Sequence, residues 1–444
     1  MRSVGDSSRV PAVGTLSRRG FIRRLALAGA GTTALGVVGG GPSRAHTGDP
    51  EHGGYQDAVT HLALDELKIF TSWLRGARGY IGEVGFPQNT TRSREEFAPD
   101  EERWARLGEA WYSHADAKGL WVTAQECSER YNDTHDGGYF ASLWMSVGEG
   151  AGGPNPIAVA KPGYQAALVK RHLDVPGAWR GVNFSGGQRW EEGTHSNRAP
   201  GVYGEDYWYP TVNPTPSDPA VNGGMNSFGY LRSEGVGIVR IGFRWERLQP
   251  VLGGGLKTAE LARLKRSVRN AGAAGLKVVL DCHNYGGYWT AAIGGHDGTG
   301  KQALNSPRCT VGHFRDLWKR LSAQFGSDPT VIVYDLMNEP NGKKGIVPAR
   351  GKTQGQTWEA ITRSVVSDIR GRGDRTTIAV TTYRASVDEC VDHHPNGPWI
   401  PTSIPNVRYT AHQYFDYYSG SGTGGGNYVR SYEDENAHYA AKGY

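Results

Sequence analysis

The chain has 444 residues, enough for one large α/β domain or two smaller ones, and its 64 Gly, 13 Trp and 22 Tyr suit a loop-rich protein with aromatic surfaces. The glycines follow no period, which excludes a collagen-like chain. The formal charge of +5 belongs to the N-terminus: residues 1 to 45 carry seven Arg and one Asp, so the rest of the chain falls to about −1 and offers no basic stretch for nucleic acid.

In chain order, "SRRGFI" (Ser17 to Ile22) comes first, followed by a weakly apolar run from Leu25 to Gly40 and a small-x-small site at Ser43-Arg44-Ala45. The run is shorter and richer in Gly than the ~20 apolar residues a bilayer span requires. This segment resembles a twin-arginine export signal. The resemblance implies residues 1 to 45 as a signal peptide cleaved near Ala45 and a mature protein secreted from the cell. No later apolar run is long enough to span a membrane.

Next comes a short strand, "RGYIGEVGFP" (Arg78 to Pro87), which ends near Glu83. A helix with Trp104, Leu107 and Trp111 on one face joins it to a second strand, "GLWVTAQEC" (Gly119 to Cys127). Residues 148 to 178 connect this pair to the remainder, Gly- and Pro-rich in the first half and helical from Tyr164 to Leu173. From residue 179 onward, "WRGVNF", "GIVRIGF", "LKVVLDCH", "VIVYDLMNE", "TTIAV" and "VRYTAHQY" read as six strands, each near-continuously apolar as buried parallel strands are. Helical spacing recurs between them, at Leu261, Leu264, Val268 and Ala271 and at Phe314, Leu317 and Leu321. Two strands in residues 46 to 147 and six in 179 to 444 make a single α/β domain, a (β/α)8 TIM barrel. Polar residues sit at the C-terminal ends of its strands, where barrels carry their chemistry. Cys127, Cys282, Cys309 and Cys390 are far apart and lack CxxC spacing, so they make no metal knuckle; one or two disulfides could form after export.

Asn338-Glu339-Pro340 closes one apolar strand, and a carboxylate so placed usually works with a second. Downstream, Glu359, Glu389, Glu433 and Glu435 close no such strand; upstream, Glu83 does. Taken singly, Glu339 is a loop carboxylate, Glu83 a turn residue, His283 a core histidine, Arg240 a structural ion pair, and His412 and Tyr414 core-facing residues at period two. Five strands ending together in polar groups of this kind point to a site.

These segments resemble glycoside hydrolase family 5, the cellulase family. "GVNFSG" is similar to its first strand, "VRIGFRWERLQP" to its second, "LDCHNYGGYW" to its third, "DLMNEP" to its fourth, "AHQYFD" to its sixth and "YIGEVGFP" to its seventh. In the family the seventh strand follows the sixth; here it comes first. The resemblance therefore implies a circularly permuted barrel in which strands 7 and 8 precede strand 1. It also implies a retaining β-glycosidase with Glu83 as nucleophile and Glu339 as acid/base. Arg240, His283, Asn284, Asn338, His412, Tyr414, Trp289 and Gln125 are implied as substrate-binding residues, with no metal and no cofactor. Gln125 stands where the family's eighth strand ends in a Trp, so the preferred sugar stays open. A secreted, monomeric cellulase-like endo-β-1,4-glucanase acting on a polysaccharide or oligosaccharide leads. Hydrolysis of mannan, a glycolipid or a disaccharide-glycoside, or a catalytically silent carbohydrate-binding barrel, are the alternatives.

Overall fold

Eight parallel strands close on themselves: β1 (Arg78–Gly85), β2 (Trp121–Ser128), β3 (Arg180–Ser185), β4 (Ile238–Phe243), β5 (Lys277–Cys282), β6 (Val331–Asp335), β7 (Thr377–Ser386) and β8 (Val407–Tyr414). Each pairs with the next in the chain, and β8 returns to pair with β1, so no sheet edge is left in the ring. The fold is a (β/α)8 TIM barrel. The computed structural model describes residues 57–86, 94–128, 143–145, 164–188, 201–204, 207–211, 226–294, 299–340, 345–415 and 432–441. The signal-like residues 1 to 45 and the first half of the connector lie outside them. All the described residues belong to the compact unit Tyr55–Tyr444.

Strands buried on both faces need apolar side chains on both, which explains the continuous apolar runs. Facing inward, Tyr80, Ile238, Val279, Val333 and Ala379 plug the barrel, each at most 1% exposed. Burying side chains of the Val and Ile kind stabilises by about 1.5–3 kcal/mol each. The outward faces pack under the helix ring. That ring includes α1 (Ala58–Trp73), α2 (Arg94–Ala117), α3 (Tyr164–Arg171), α4 (Ser227–Ser233), α5 (Thr258–Ala273), α6 (Val311–Phe325), α7 (Gln354–Gly371) and α8 (Tyr432–Ala440). Capping boxes start α6 and α7, with Thr310 and His313 reciprocally bonded in one and Thr353 and Gln356 in the other.

α1 and α8, from opposite ends of the described chain, pack against each other, and α8 also meets α2. The Val59 N–H donates to Asn436 Oδ1 at 3.3 Å, Thr60 Oγ1 lies 3.2 Å from Tyr432 Oη, and the Tyr432 ring packs edge-on against Trp104 at 4.8 Å.

Most strand limits lie within two residues of those expected from the sequence, with two departures. "VIVYDLMNE" ends as a strand at Asp335, and the backbone beyond it stays tied to both neighbouring strands, the Leu336 N–H bonding to Ala379 O and the Asn338 N–H to Cys282 O. "TTIAV" runs on to Ser386 through a bulge, in which Thr381 pairs with Thr410 and Ser386 with His412. An antiparallel hairpin, Gly287–Gly294 with Thr299–Ala303, follows β5 and was not anticipated. All four cysteines are buried, and no disulfide joins them in this structure.

Candidate active site

Directly above the apolar plug the barrel interior turns polar, and Arg240 on β4 organises it. A guanidinium has five N–H donors, and five acceptor atoms face them here. Nε donates to Asp335 Oδ2 at 3.0 Å, Nη1 to Glu83 Oε1 and to Asn183 Oδ1 at 2.8 Å each, and Nη2 to Asn338 Oδ1 at 2.8 Å, with Asp281 Oδ1 3.0 Å from Nη2. Burial opposes the charge on Arg240, but Asp281, Asp335 and Glu83 outweigh it and hold the group firmly protonated. One fixed cation thus joins residues of β1, β3, β4, β5 and β6.

Glu83 is aimed inward by a bulge in β1. Ile81 pairs with Ala411 and Glu83 with His412, leaving Gly82 out of register. A Cβ on Gly82 would lie 2.9 Å from both His412 Nε2 and Thr410 Oγ1, so only glycine lets the imidazole rest against this backbone. The Glu83 carboxylate is 5% exposed, with Tyr414 Oη donating to Oε2 at 2.6 Å and His412 Nδ1 3.5 Å away. Burial alone would raise its pKa. His412, Arg240 and the Tyr414 hydroxyl overcome that and bring it down to about 2.

Glu339 follows β6 in a strained conformation, with φ at 38°. Its segment is held from both sides. Thr381 Oγ1 donates to Met337 O at 2.7 Å, Trp318 Nε1 to Leu336 O at 3.1 Å, and the Tyr285 N–H to Asn338 O at 3.1 Å. His412 Nδ1 lies 3.0 Å from Glu339 Oε1. Burial favours the neutral His412 ring, but Glu83 and Glu339 together raise its pKa above the ordinary value.

On β5, His283 Nδ1 donates to Asp281 Oδ2 at 2.6 Å, and because the Asn338 amide nitrogen facing Nε2 can only donate, Nε2 is the acceptor and keeps its lone pair. Tyr285 Oη at 3.0 Å and Asn338 Nδ2 at 3.2 Å both donate to that lone pair. The second Nδ2 proton of Asn338 remains for a ligand.

Glu83, Glu339, Arg240, His283, Asn338, His412 and Tyr414 therefore gather around one point. Gln125 follows Thr123, whose hydroxyl donates to Gly82 O at 2.6 Å inside the barrel, and lies where the pairing of β2 with β3 shifts register between Ala124 and Cys127. Two residues expected to bind substrate do other work. Asn284 is fully buried: its Oδ1 accepts from the Trp245 N–H at 2.8 Å and its Nδ2 donates to Glu246 Oε2 at 2.7 Å, which consumes the amide in pinning the loop. Trp289 is 6% exposed in the hairpin, with the Lys301 ammonium 5.9 Å from its ring centroid, so it packs rather than presents a face. Asn183, Asp281, Asp335 and Tyr285 were not singled out from the sequence. A carboxylate in each of two neighbouring inward registers, facing a strand Arg, was the available signal.

One oxygen each of Glu83 and Glu339 and a ring nitrogen of His412 lie within 4.8 Å of one another. Such a trio could hold a divalent cation, although Arg240 already sits 2.8 Å from Glu83. As a carboxylate pair, one member is held ionised by the positive charge beside it and the other is partly open to solvent, with 27% of its side chain exposed.

Residues 224–443 match the family described as Cellulase (glycosyl hydrolase family 5). The chain is 30% identical over 185 residues to a probable endo-beta-1,4-glucanase B of Aspergillus oryzae, covering 41% of this chain and 45% of that protein. It is 28% identical over 151 residues to a protein of Phanerodontia chrysosporium named manganese dependent endoglucanase Eg5A, covering 34% of each. The chain thus spans less than half the length of these curated relatives. A crystal structure of an endo-beta-1,4-glucanase from Xanthomonas axonopodis pv. citri is 28% identical, with 59% of this chain and 72% of that one covered and a TM-score of 0.42.

Proposed function

We propose that the protein is a retaining glycoside hydrolase of family 5, a cellulase-like endo-β-1,4-glucanase working by double displacement. The observation that carries this reading is the Glu83–Glu339 pair, whose nearest oxygens lie within 4.8 Å. Retaining enzymes hold their carboxyls about 5–5.5 Å apart, whereas inverting ones need roughly 6.5–9.5 Å to admit a water.

Glu83, ionised and aligned by Arg240 and Tyr414, attacks the anomeric carbon while the bond to the departing oxygen breaks and Glu339 gives that oxygen its proton. A covalent glycosyl ester on Glu83 results. Glu339, now a carboxylate, takes a proton from water, the water oxygen bonds to the anomeric carbon, and Glu83 departs with its electron pair. Through its remaining N–H, Asn338 binds the sugar 2-hydroxyl, a contact that tightens as positive charge develops on the ring. His412 bridges both carboxyls and steadies whichever is negative. Gln125 offers hydrogen bonds where the family has an aromatic plane, which favours a test of sugars other than glucose.

In this reading the chain is permuted. β3 to β8 take the places of family strands 1 to 6, and β1 and β2 those of strands 7 and 8. Support comes from α1 and α8, one from each end of the described chain, which pack against each other. The protein is exported through its N-terminal segment and acts as a monomer. Soluble β-1,4-glucan, β-mannan and aryl disaccharide glycosides, assayed side by side with proton NMR of the first product, test the proposal. Cleavage of glucan to a β-configured product is expected. An α-product, or no cleavage of any β-glycoside, would defeat it.

A further inference from the structure

Tyr285 sits in the left-handed region with φ at 52°, a conformation that costs a non-glycine residue on the order of 1–3 kcal/mol, and the next residue is a glycine that adopts it freely. Its side chain therefore has work that glycine could not do. The hydroxyl reaches His283 Nε2 at 3.0 Å, the ring lies edge-on to the imidazole at 5.2 Å, and Arg244 Cζ is 5.5 Å from the ring centroid. Its backbone is tied at both ends: the N–H to Asn338 O at 3.1 Å, and the carbonyl to the Lys301 ammonium.

One lone pair on His283 Nε2 receives two donors, Tyr285 Oη and Asn338 Nδ2 at 3.2 Å. While the hydroxyl satisfies the imidazole, the Asn338 amide makes only a longer contact there and keeps its second N–H directed at a ligand. Without the hydroxyl, that amide becomes the sole donor and is drawn to the ring. Asn338 cannot escape sideways, because its Oδ1 is held by Arg240 and its carbonyl by Tyr285.

We infer that Tyr285 is a positioning residue: by occupying His283 and anchoring the Asn338 backbone, it keeps the Asn338 amide set for the sugar 2-hydroxyl. This rests on the glycosidase reading and deepens it.

The test compares wild-type protein with Tyr285→Phe on an aryl β-cellobioside and on its analogue lacking the 2-hydroxyl on the sugar next to the aryl group. Tyr285→Phe should lower kcat/KM about tenfold on the first substrate, mainly in kcat, and less than twofold on the second, since the lost alignment matters only when that hydroxyl is present. Tyr285→Gly suits the backbone but leaves the space of the ring empty, and should show the same selective loss between the two substrates even where its Tm falls. Equal losses on both substrates, or no loss on either, would overturn the inference while leaving the glycosidase reading intact. A wild-type protein inert toward both would instead remove the reading on which it rests.

Discussion

Replacing Arg240 by Lys keeps the charge and removes the fork. Five acceptors surround the guanidinium, three of them carboxylates and two amide oxygens. Four of these acceptors receive hydrogen bonds and an ammonium supplies three donors from one point, so at least one acceptor loses its partner in a region closed to water. A buried polar group left unsatisfied costs about 1–3 kcal/mol, and more when charged, which puts the loss at roughly 1–3 kcal/mol or more. Urea unfolding at pH 7 measures it as a fall in midpoint at unchanged slope. Activity should fall further than stability would require, because Glu83 and Asn338 both lose their alignment; two charge-assisted bonds of about 1.5–3 kcal/mol correspond to a drop of at least ~100-fold in kcat/KM. An Arg240→Lys variant within about 0.5 kcal/mol of wild type and within twofold in activity would refute the argument that the five-donor fork organises the site.

Removing the acid with Glu339→Ala should abolish cleavage of glucan yet spare the first step on aryl glycosides with good leaving groups, and azide should restore turnover with a β-glycosyl azide as product; azide without effect would deny Glu339 its role. Stability should depend on pH with opposite signs at two residues. The folded-state pKa of Glu83 lies at about 2 against an ordinary 4.5, so its contribution is complete above pH 4.5 and disappears as pH falls toward 2. That of His412 is raised, so its contribution is complete below 6.5 and disappears as pH rises. Melting curves of wild type against Glu83→Gln should converge on acidification and against His412→Gln on alkalinisation; parallel curves would contradict both. Joining Tyr444 to about Gly53 by a flexible linker and reopening the chain between Gly150 and Gly177 should yield a folded hydrolase within roughly tenfold of the natural one, since surface connections cost little to move. A soluble, inactive product would mean that β1 and β2 do not complete the barrel of their own chain.

The barrel was legible because a strand buried on both faces must be apolar throughout: "VRYTAHQY" coincides with β8 residue for residue. Glu83 and Glu339 could be singled out because a carboxylate ending such a strand is costly unless something receives it. Local sequence could not reveal which neighbour takes each hydrogen bond. Asn284 and His283 are adjacent and equally polar, yet one turns outward to pin Trp245 and the other inward to the site. Trp289 looked like a sugar platform until the hairpin, in which it pairs with the sequence-distant Lys301, covered it. Tyr285 stayed hidden because nothing in "HNYGG" says which residue takes the left-handed turn before Gly286.

Trapping the covalent intermediate tests the central claim most directly. A 2-deoxy-2-fluoro β-cellobioside with a good leaving group forms the glycosyl ester and slows its hydrolysis, and peptide mass spectrometry then locates the label. The account predicts a single sugar attached to Glu83, within the strand that opens the barrel. A label on Glu339, on any other residue, or none despite active enzyme would contradict it.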